Sequence, residues 1–213
     1  MKKVIFASIF GLSVLSASAS AVSLTAYTDR SAWEAAVGSF ILEDFESFTS
    51  ATPYITSPVD VGDFTVSVSG ENFGSIWHNI GPVSNGNDVN GSAQLNAATG
   101  STGGTTLAFD FSIFAFGADW GGVSDNRVTS LIVGGEALAI PSLSPGFFGF
   151  VADAAFSSLL LQLTSGSADG FGLDDAVYST GVNAVPIPAA AFLFAPALLG
   201  FMGFRRRAKN LAA

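Results

Sequence analysis

Two groups of carboxylates, one near each end of the central region, are the side chains best placed by their spacing to do chemistry. The groups are Glu43, Asp44 and Glu46, and Asp169, Asp174 and Asp175. If the strands that carry them lie side by side, several carboxylate oxygens come together, with no Lys or Arg nearby to neutralise their charge. Two carboxylates about 4 Å apart repel by roughly 4 kcal/mol at an effective dielectric of 20, so close approach requires a cation, protonation or solvent.

Calcium is the cation that this pattern favours outside a cell, since it takes about 6–8 oxygen ligands. Alternation along a strand points Glu43 and Asp44 to opposite faces, so both can ligate one ion only if a β-bulge intervenes. A solvated acidic edge without metal is the alternative. A second candidate, the Asn- and Asp-rich segment 85–91, lacks the register of a calcium loop and is better interpreted as a turn.

Aromatic side chains in predicted loops provide a second kind of candidate site. Tyr54, Trp77, His78 and Trp120 combine flat faces with polar edges, which suits contact with sugars. We expect Trp120 to lie in a loop beside Asp119. Most of the 20 phenylalanines are expected in the core instead, because they carry no group that orients hydroxyls.

Little in the sequence favours catalysis. The chain has no cysteine and one histidine, His78, so a zinc site of several His or Cys ligands is excluded and a histidine-based triad depends on that residue. We expect His78 to be a loop hydrogen-bonder or part of an aromatic binding surface. A glycosidase requires only two carboxylates about 5–10 Å apart, so a secreted polysaccharide-active hydrolase is the alternative to a non-enzymatic protein.

Charge is distributed unevenly along the chain. All 17 acidic residues lie between Asp29 and Asp175, and the same region contains only Arg30 and Arg127 as cations. Two cations against 17 acids give this body a net charge of −15. Such a body repels phosphate backbones and attracts cations, so nucleic acid is excluded as an expected partner.

Both ends of the chain have the features of export signals. Two lysines, an apolar run and small residues ending near Ala21 predict a secretory signal peptide over residues 1–21. At the other end, residues 185–204 carry no charge and are long enough for about 30 Å of helix, with a predicted transmembrane helix at 188–204. The cations that follow predict retention of the tail in the cytoplasm while the body faces outward.

The tail resembles a known class of sorting signal. Its parts are an imperfect proline pair, an apolar span and a basic cluster: Val185, Pro186, Ile187, Pro188, then Arg205, Arg206 and Arg207. This order resembles the PEP-CTERM tag of exported bacterial proteins, although the usual glutamate is replaced by Ile187. The resemblance implies processing of residues 185–213 by an exosortase-type membrane enzyme. It also implies a transient inner-membrane anchor, followed by a cell-surface or extracellular location.

Hydrophobic periodicity between the two ends predicts an all-β body over residues 22–184. One short helix is expected after Asp29, with Trp33 on its apolar stripe and Gly38 at its end. Beyond it, period-two segments divided by Gly, Pro, Ser and Asp clusters predict an antiparallel β-sandwich or jelly roll. A less regular stretch from about Gly70 to Gly104 is expected to hold long loops and short strands at 75–77 and 93–95.

The body also resembles lectin-like jelly-roll domains, through "EDFESF" early, "AFGADW" in the middle and "GFGLDDAVYS" late. That resemblance implies a structural calcium joining Glu46 to Asp174 or Asp175, with Glu43 as a further candidate ligand, and carbohydrate contact by Trp77, His78 and Trp120. We therefore expect an exported, non-enzymatic protein of the cell surface or biofilm matrix, associated with extracellular polysaccharide.

Overall fold

The computed structural model describes residues 22–70, 73–82, 87–142 and 145–182. These residues form one helix, α1 (Arg30–Val37), and twelve strands whose pairings are all antiparallel. The strands are β1 (Leu24–Tyr27), β2 (Ile41–Glu43), β3 (Thr52–Pro53), β4 (Val59–Asp60), β5 (Phe64–Ser69), β6 (Asn79–Pro82), β7 (Ala93–Gly100), β8 (Gly104–Gly121), β9 (Val128–Val133), β10 (Glu136–Ala139), β11 (Gly146–Ser165) and β12 (Ala168–Ser179). The prediction of an all-β body with one short helix is confirmed.

Two long strands, β8 and β11, organise the sheet because each changes neighbours halfway along its length. They pair with each other at both ends, and register shifts after Val151 and Phe156 interrupt the ladder between the two paired stretches. The second half of β8 pairs with β12 and its first half with β5, while β11 passes from β1 to β9. Such irregularities bend a strand, and here they let two differently paired halves of the sheet enclose one core.

Phenylalanine and branched aliphatic side chains fill that core. Phe64 on β5 packs against Phe109 on β8 with ring centroids 5.1 Å apart, and Tyr178 on β12 lies 5.2 Å from the same Phe109 ring. Inward side chains at alternate strand positions supply these contacts, as period-two patterning requires. The core therefore joins strands from both halves of the sheet.

Helix α1 lies on the outer face of the sheet. The Asp29 side chain caps it by accepting a 2.7 Å hydrogen bond from the Ala32 amide, and Gly38, at φ 79°, ends it. Trp33 is fully buried against β8, β11 and β12, and its indole nitrogen donates to the Phe150 carbonyl at 3.1 Å. The cap Asp29 and the terminator Gly38 are confirmed, and Trp33 and Val37 are the buried residues of the predicted stripe.

Three local predictions about the strands are wrong. Residues 75–77 form a turn, and the strand of this region, β6, begins at Asn79. Residues 146–152 and 156–164, whose apolar patterns predict two separate strands, belong to one continuous bent strand, β11. Trp120 lies within β8 rather than in a loop. The strand expected at 93–95 is confirmed and extends to Gly100.

The chain ends fall outside the described residues, and with them the expected signal peptide (1–21), the sorting signal (185–213) and its transmembrane helix (188–204). Within the described ranges, no helix has the length and apolar character needed to cross a membrane. The assignments made for the two ends therefore remain predictions.

Candidate functional site

A cavity of about 240 Å³ opens beside the start of β12, and we call it the Trp77 pocket. Its lining combines aromatic and small apolar side chains with one cation and one acid: Phe73, Trp77, Ala98, Arg127, Ala168, Asp169 and Gly170. Of these residues, the sequence had singled out Trp77 for sugar contact and Asp169 as one of the late carboxylates. Concave sites with an apolar wall and a few converging polar groups are typical of small-ligand binding.

A tight turn positions the Trp77 indole in the pocket. The backbone amides of Trp77 and His78 both donate to the Gly74 carbonyl, at 3.1 and 3.2 Å. The Asn79 side-chain amide donates to the Ser75 carbonyl at 2.8 Å and so ties the turn to β6. The indole is therefore held by a hydrogen-bonded turn.

Two buried side chains on β7 fix the loops that surround the pocket. Asn96 donates to the Asn79 side-chain oxygen at 3.1 Å, and Gln94 donates to the Asn96 side-chain oxygen at 2.9 Å. Gln94 also donates to the Asn87 carbonyl at 2.9 Å and accepts from the Val89 amide at 3.1 Å. Because Gln94 and Asn96 are fully buried, these loop contacts satisfy polar groups that water does not reach.

Glycines on β12 let these loops approach the sheet closely. A β-carbon at Gly170 would lie 2.8 Å from Trp77 Cζ3, so the absence of a side chain makes room for the indole edge. A β-carbon at Gly172 would collide with the Gln94 side chain and the Asn87 carbonyl. The glycines of the "GFG" sequence in β12 therefore let the Trp77 turn and the Asn87 loop lie directly against the strand backbone.

An ion pair forms the polar wall of the pocket. Asp169 is 2% exposed, and its Oδ2 accepts hydrogen bonds from Thr129 Oγ1 at 2.8 Å and from the Ser124 amide at 3.4 Å. Its Oδ1 makes no hydrogen bond within the described chain and lies 3.6 Å from Arg127 Nη1. The Arg127 side chain is 38% exposed, so one partner of the pair reaches solvent while the other is buried.

The prediction that Trp120 contacts carbohydrate is wrong. Its side chain is fully buried, its indole nitrogen donates to the Phe148 carbonyl at 2.9 Å, and its ring packs 5.7 Å from that of Phe171. The residue lies on the inward face of β8, and glycines and aspartates beside it gave the sequence segment the appearance of a loop. A side chain with no exposed surface offers no face to a ligand.

His78 is also buried rather than presented at the surface. It lies between Tyr54 and Phe73, with ring centroids 5.5 and 6.1 Å away, and neither ring nitrogen has a hydrogen-bond partner within the described chain. Burial lowers the pKa of His78 to about 4, so it is neutral at pH 7. The expected roles in hydrogen bonding and surface sugar contact are wrong, and His78 instead packs against Phe73, which lines the pocket.

The predicted acidic edge forms on the strand pair β2 and β12. Glu43 lies opposite Ala176, so β2, which ends at Glu43, runs beside the last strand, while β1, the true first strand, pairs with β11. Asp44 and Glu46 follow β2 outside any strand. A register shift between Asp174 and Val177 inserts one extra residue in β12. Asp175 there has φ 46°, a conformation uncommon for residues other than glycine. This bulge lies on β12, whereas the bulge expected for joint ligation by Glu43 and Asp44 would have to lie between those two residues.

Donors from the chain itself engage these carboxylates. Glu46 accepts from the Ala93 amide at 3.1 Å, and Asp174 accepts from Ser92 Oγ at 2.6 Å and from the Asp175 amide at 2.7 Å. Across the residues described, no three His, Cys, Asp or Glu side chains are arranged to hold a metal ion. Asp169 lies apart from this edge, in the Trp77 pocket.

One cation lies at the acidic edge, contrary to the expectation that none is near. Arg30 Nη2 is 3.1 Å from Asp119 Oδ2 and donates to the Asp175 carbonyl at 3.1 Å. Its guanidinium also lies 4.8 Å from the centroid of the Phe147 ring. Sequence spacing could not reveal this neighbour, because helix α1 carries Arg30 to the strands from far along the chain.

Burial sets the protonation of the acidic edge. It raises the pKa values of Glu43, Asp174 and Asp175, and neighbouring carboxylates raise them further. Hydrogen bonds from Ser92 and the Asp175 amide oppose the shift at Asp174, and Arg30 opposes it at Asp175. A bound cation would favour the charged forms, so the edge is suited to bind either protons or a cation.

Comparison of the chain with protein-family models, with curated proteins and with solved structures found no match. The function is therefore inferred from the residues of the chain itself. Two regions supply them: the Trp77 pocket, which has a lined cavity, and the acidic edge, which has charge but, among the described residues, no arranged set of metal ligands.

The buried His78 predicts a pH dependence of stability. Its pKa is about 4 when folded and 6.5 in the absence of burial, so the unfolded chain binds the extra proton between these values. Folding stability due to His78 is complete above pH 6.5 and is lost as pH falls toward 4. At 1.36 kcal/mol per pKa unit, we expect His78 to cost the wild-type protein about 3 kcal/mol of folding stability between pH 7 and pH 4. The His78→Phe variant should not show this loss.

Urea unfolding of wild type and variant at both pH values measures this difference, since the other titrating groups cancel between the two proteins. His78→Gln is the matched control, because it keeps a buried polar side chain but does not titrate in this range. Parallel stability curves for wild type and both variants would show that His78 is charged or solvated in the folded protein.

Proposed function

We propose that this protein is an exported, non-enzymatic protein of the cell surface or extracellular matrix that binds polysaccharide through the Trp77 pocket. The observation that carries the proposal is the juxtaposition of a partly exposed indole with an ion pair across one cavity. Sugar rings have an apolar C–H face and a rim of hydroxyls. An aromatic wall and a charged polar wall complement these two features.

The pocket supports binding rather than hydrolysis. Hydrolysis of a glycosidic bond normally requires two carboxylates, one on each side of the bond. Asp169 is the one acid among the described lining residues, and Arg127 and Thr129 already engage it. A single carboxylate that is already engaged leaves no second described acid in the lining to act on the other side of the bond.

We propose further that the body is an antiparallel β-sandwich of the jelly-roll kind. The change of neighbours along β8 and β11 supports this architecture, because the two halves of each strand then belong to two layers that share one core. On such a scaffold, the loops over β12 are where ligands are usually met. The Trp77 pocket lies among those loops.

The proposed location depends on the chain ends, which lie outside the described residues. A signal peptide over 1–21 would direct export, and the VPIP-type tail over 185–213 would hold the body at the inner membrane until an exosortase-type enzyme processes it. The acidic body is compatible with release into a hydrated matrix, since its net negative charge limits self-association.

Calcium is the cation we propose for the acidic edge, on grounds of charge. Glu46, Asp174, Asp175 and Glu43 are the residues that would hold it, through carboxylate oxygens now engaged in part by backbone amides and Ser92. The bulge at Asp175 supports the proposal, because it interrupts the regular alternation of side chains where two carboxylates are consecutive. Its role would be to stabilise the fold.

The proposed function predicts retention of polysaccharide without cleavage. Purified protein incubated with the exopolysaccharide of its host should sediment with the polymer, and the supernatant should contain no oligosaccharides. Trp77→Ala should weaken retention roughly 10-fold or more, in line with the loss of a central aromatic contact. Ile76→Ala, which truncates a neighbouring side chain that is 52% exposed and outside the pocket lining, should bind as wild type does. Release of soluble oligosaccharides would support the hydrolase instead.

Calcium binding predicts a metal-dependent melting temperature. At 100 times its Kd, a ligand specific to the native state adds about 2.7 kcal/mol, which is roughly 5–10 °C for a domain of this size. Calorimetry with calcium and with chelator should reveal the shift, and Glu46→Ala or Asp174→Ala should abolish it. Glu136→Ala removes an exposed acid elsewhere and should leave it intact. An unchanged wild-type melting temperature would overturn the site.

The sorting proposal predicts a shortened mature protein. Replacing Arg205, Arg206 and Arg207 by alanine should impair membrane retention or processing, because the positive charge that orients the span is removed. Mass spectrometry of the mature C-terminus measures the outcome. Substitution of Lys209 alone is the control, since it leaves the arginine cluster in place. Normal maturation of the triple variant would refute the assignment.

A further inference from the structure

We infer that the Trp77 pocket takes one uncharged pyranose unit of a polysaccharide, at a chain end or branch, in preference to a uronate or a phosphorylated sugar. This inference rests on the proposed function and specifies the class of ligand. Three properties of the pocket carry it: the hydrogen-bonding state of Asp169, the pairing of Arg127 and the size of the cavity.

The hydrogen-bonding state of Asp169 favours a ligand that donates a hydrogen bond. Asp169 lines the pocket, and its Oδ1 is buried and makes no hydrogen bond within the described chain, while Oδ2 is already bonded to Thr129 and Ser124. A buried acceptor without a donor costs free energy, which a ligand hydroxyl recovers by donating to it. A ligand carboxylate has no proton to donate at neutral pH and would face Asp169 with like charge.

Arg127 does not reverse this preference. Its guanidinium is the single cation among the described lining residues, and its Nη1 lies 3.6 Å from Asp169 Oδ1. The pair is neutral overall, so an incoming anion would gain attraction to Arg127 and lose comparable free energy to Asp169. The remaining acidic charge of the body adds repulsion at longer range.

The size of the pocket limits the ligand to one ring. At about 240 Å³ it lies below the range of roughly 300–1,000 Å³ that holds drug-sized ligands. Its walls resist enlargement, because Trp77 rests against the Gly170 backbone and Asn79 ties the turn to β6. A single sugar unit at a chain end or branch fits these limits, whereas the middle of a linear chain requires an open groove.

The indole of Trp77 provides a direct reporter of occupancy. Of the three tryptophans, Trp33 and Trp120 are fully buried, whereas Trp77 is partly exposed, so acrylamide quenching of fluorescence reports mainly on Trp77. Titration of the full-length protein with methyl glucoside, methyl galactoside and methyl mannoside should give saturable protection from quenching for at least one of them. Glucuronate and galacturonate should give none at a roughly 10-fold higher concentration.

Two variants test the role of the pocket. Asp169→Asn replaces the pocket-facing acceptor by a donor while the amide oxygen can still accept from Thr129, and it should weaken glycoside binding roughly 10-fold or more. Ala168→Leu fills the cavity from a strand position and should abolish protection even if Asp169→Asn fails to fold. Ile76→Ala, outside the lining, should match wild type. Circular dichroism and melting temperature establish which variants are folded.

The outcomes separate this inference from the proposed function. Retention of exopolysaccharide that is unaffected by Ala168→Leu would overturn the pocket and leave polysaccharide binding intact. Protection by uronates equal to or stronger than that by neutral glycosides, or tighter uronate binding by Asp169→Asn, would overturn the ligand class alone. Absence of binding to any glycoside and to exopolysaccharide would overturn both.

Discussion

The buried amides of β7 are the constraint on which the candidate sites depend. Gln94 and Asn96 lie on a face of the strand that water does not reach, so each needs partners from the chain itself. They find them in each other, in Asn79 and in the loop backbone at Asn87 and Val89. A partly satisfied network would cost more than an apolar surface. Asn79 of β6 and the described loop residues Asn87 and Val89 are therefore tied to β7, and Asn79 in turn holds the turn that carries Trp77.

The loop residues that lie over β12 connect the two candidate regions. Gly170 leaves space on β12 for Trp77, and Gly172 leaves space for the Asn87 carbonyl. Ser92, which follows Asn87 in the chain, donates to Asp174 at the acidic edge, so these residues border the cavity on one side and the carboxylates on the other. Both candidate regions therefore contact loop residues close to the Gln94 network.

Patterning predicted the elements whose signals are local. Helix α1 follows from a cap, an apolar stripe and a terminal glycine, and β5 from strict alternation. The errors arose where long-range contacts decide the structure. Trp120 has the neighbours of a loop residue but lies in a strand whose glycines serve close packing, and His78 is buried by partners far along the chain. Arg127 carried no sequence signal for the pocket, because only the pairing of β9 with β11 brings it to β12.

The two cations of the body mark the sites more clearly than its 17 acids do. Residues 22–182 contain only Arg30 and Arg127, and each contacts a carboxylate at one candidate region: Asp119 beside the acidic edge and Asp169 in the pocket. With the other acids uncompensated, the long-range field excludes anions everywhere on this surface. Within the pocket the local pair is neutral, so selectivity there depends on hydrogen bonding and shape. At the edge, Arg30 offsets only part of the charge, so the remaining repulsion is relieved by protons, a cation or solvent. One chain thus presents two regions of different chemistry, of which one suits a neutral ligand and the other a cation.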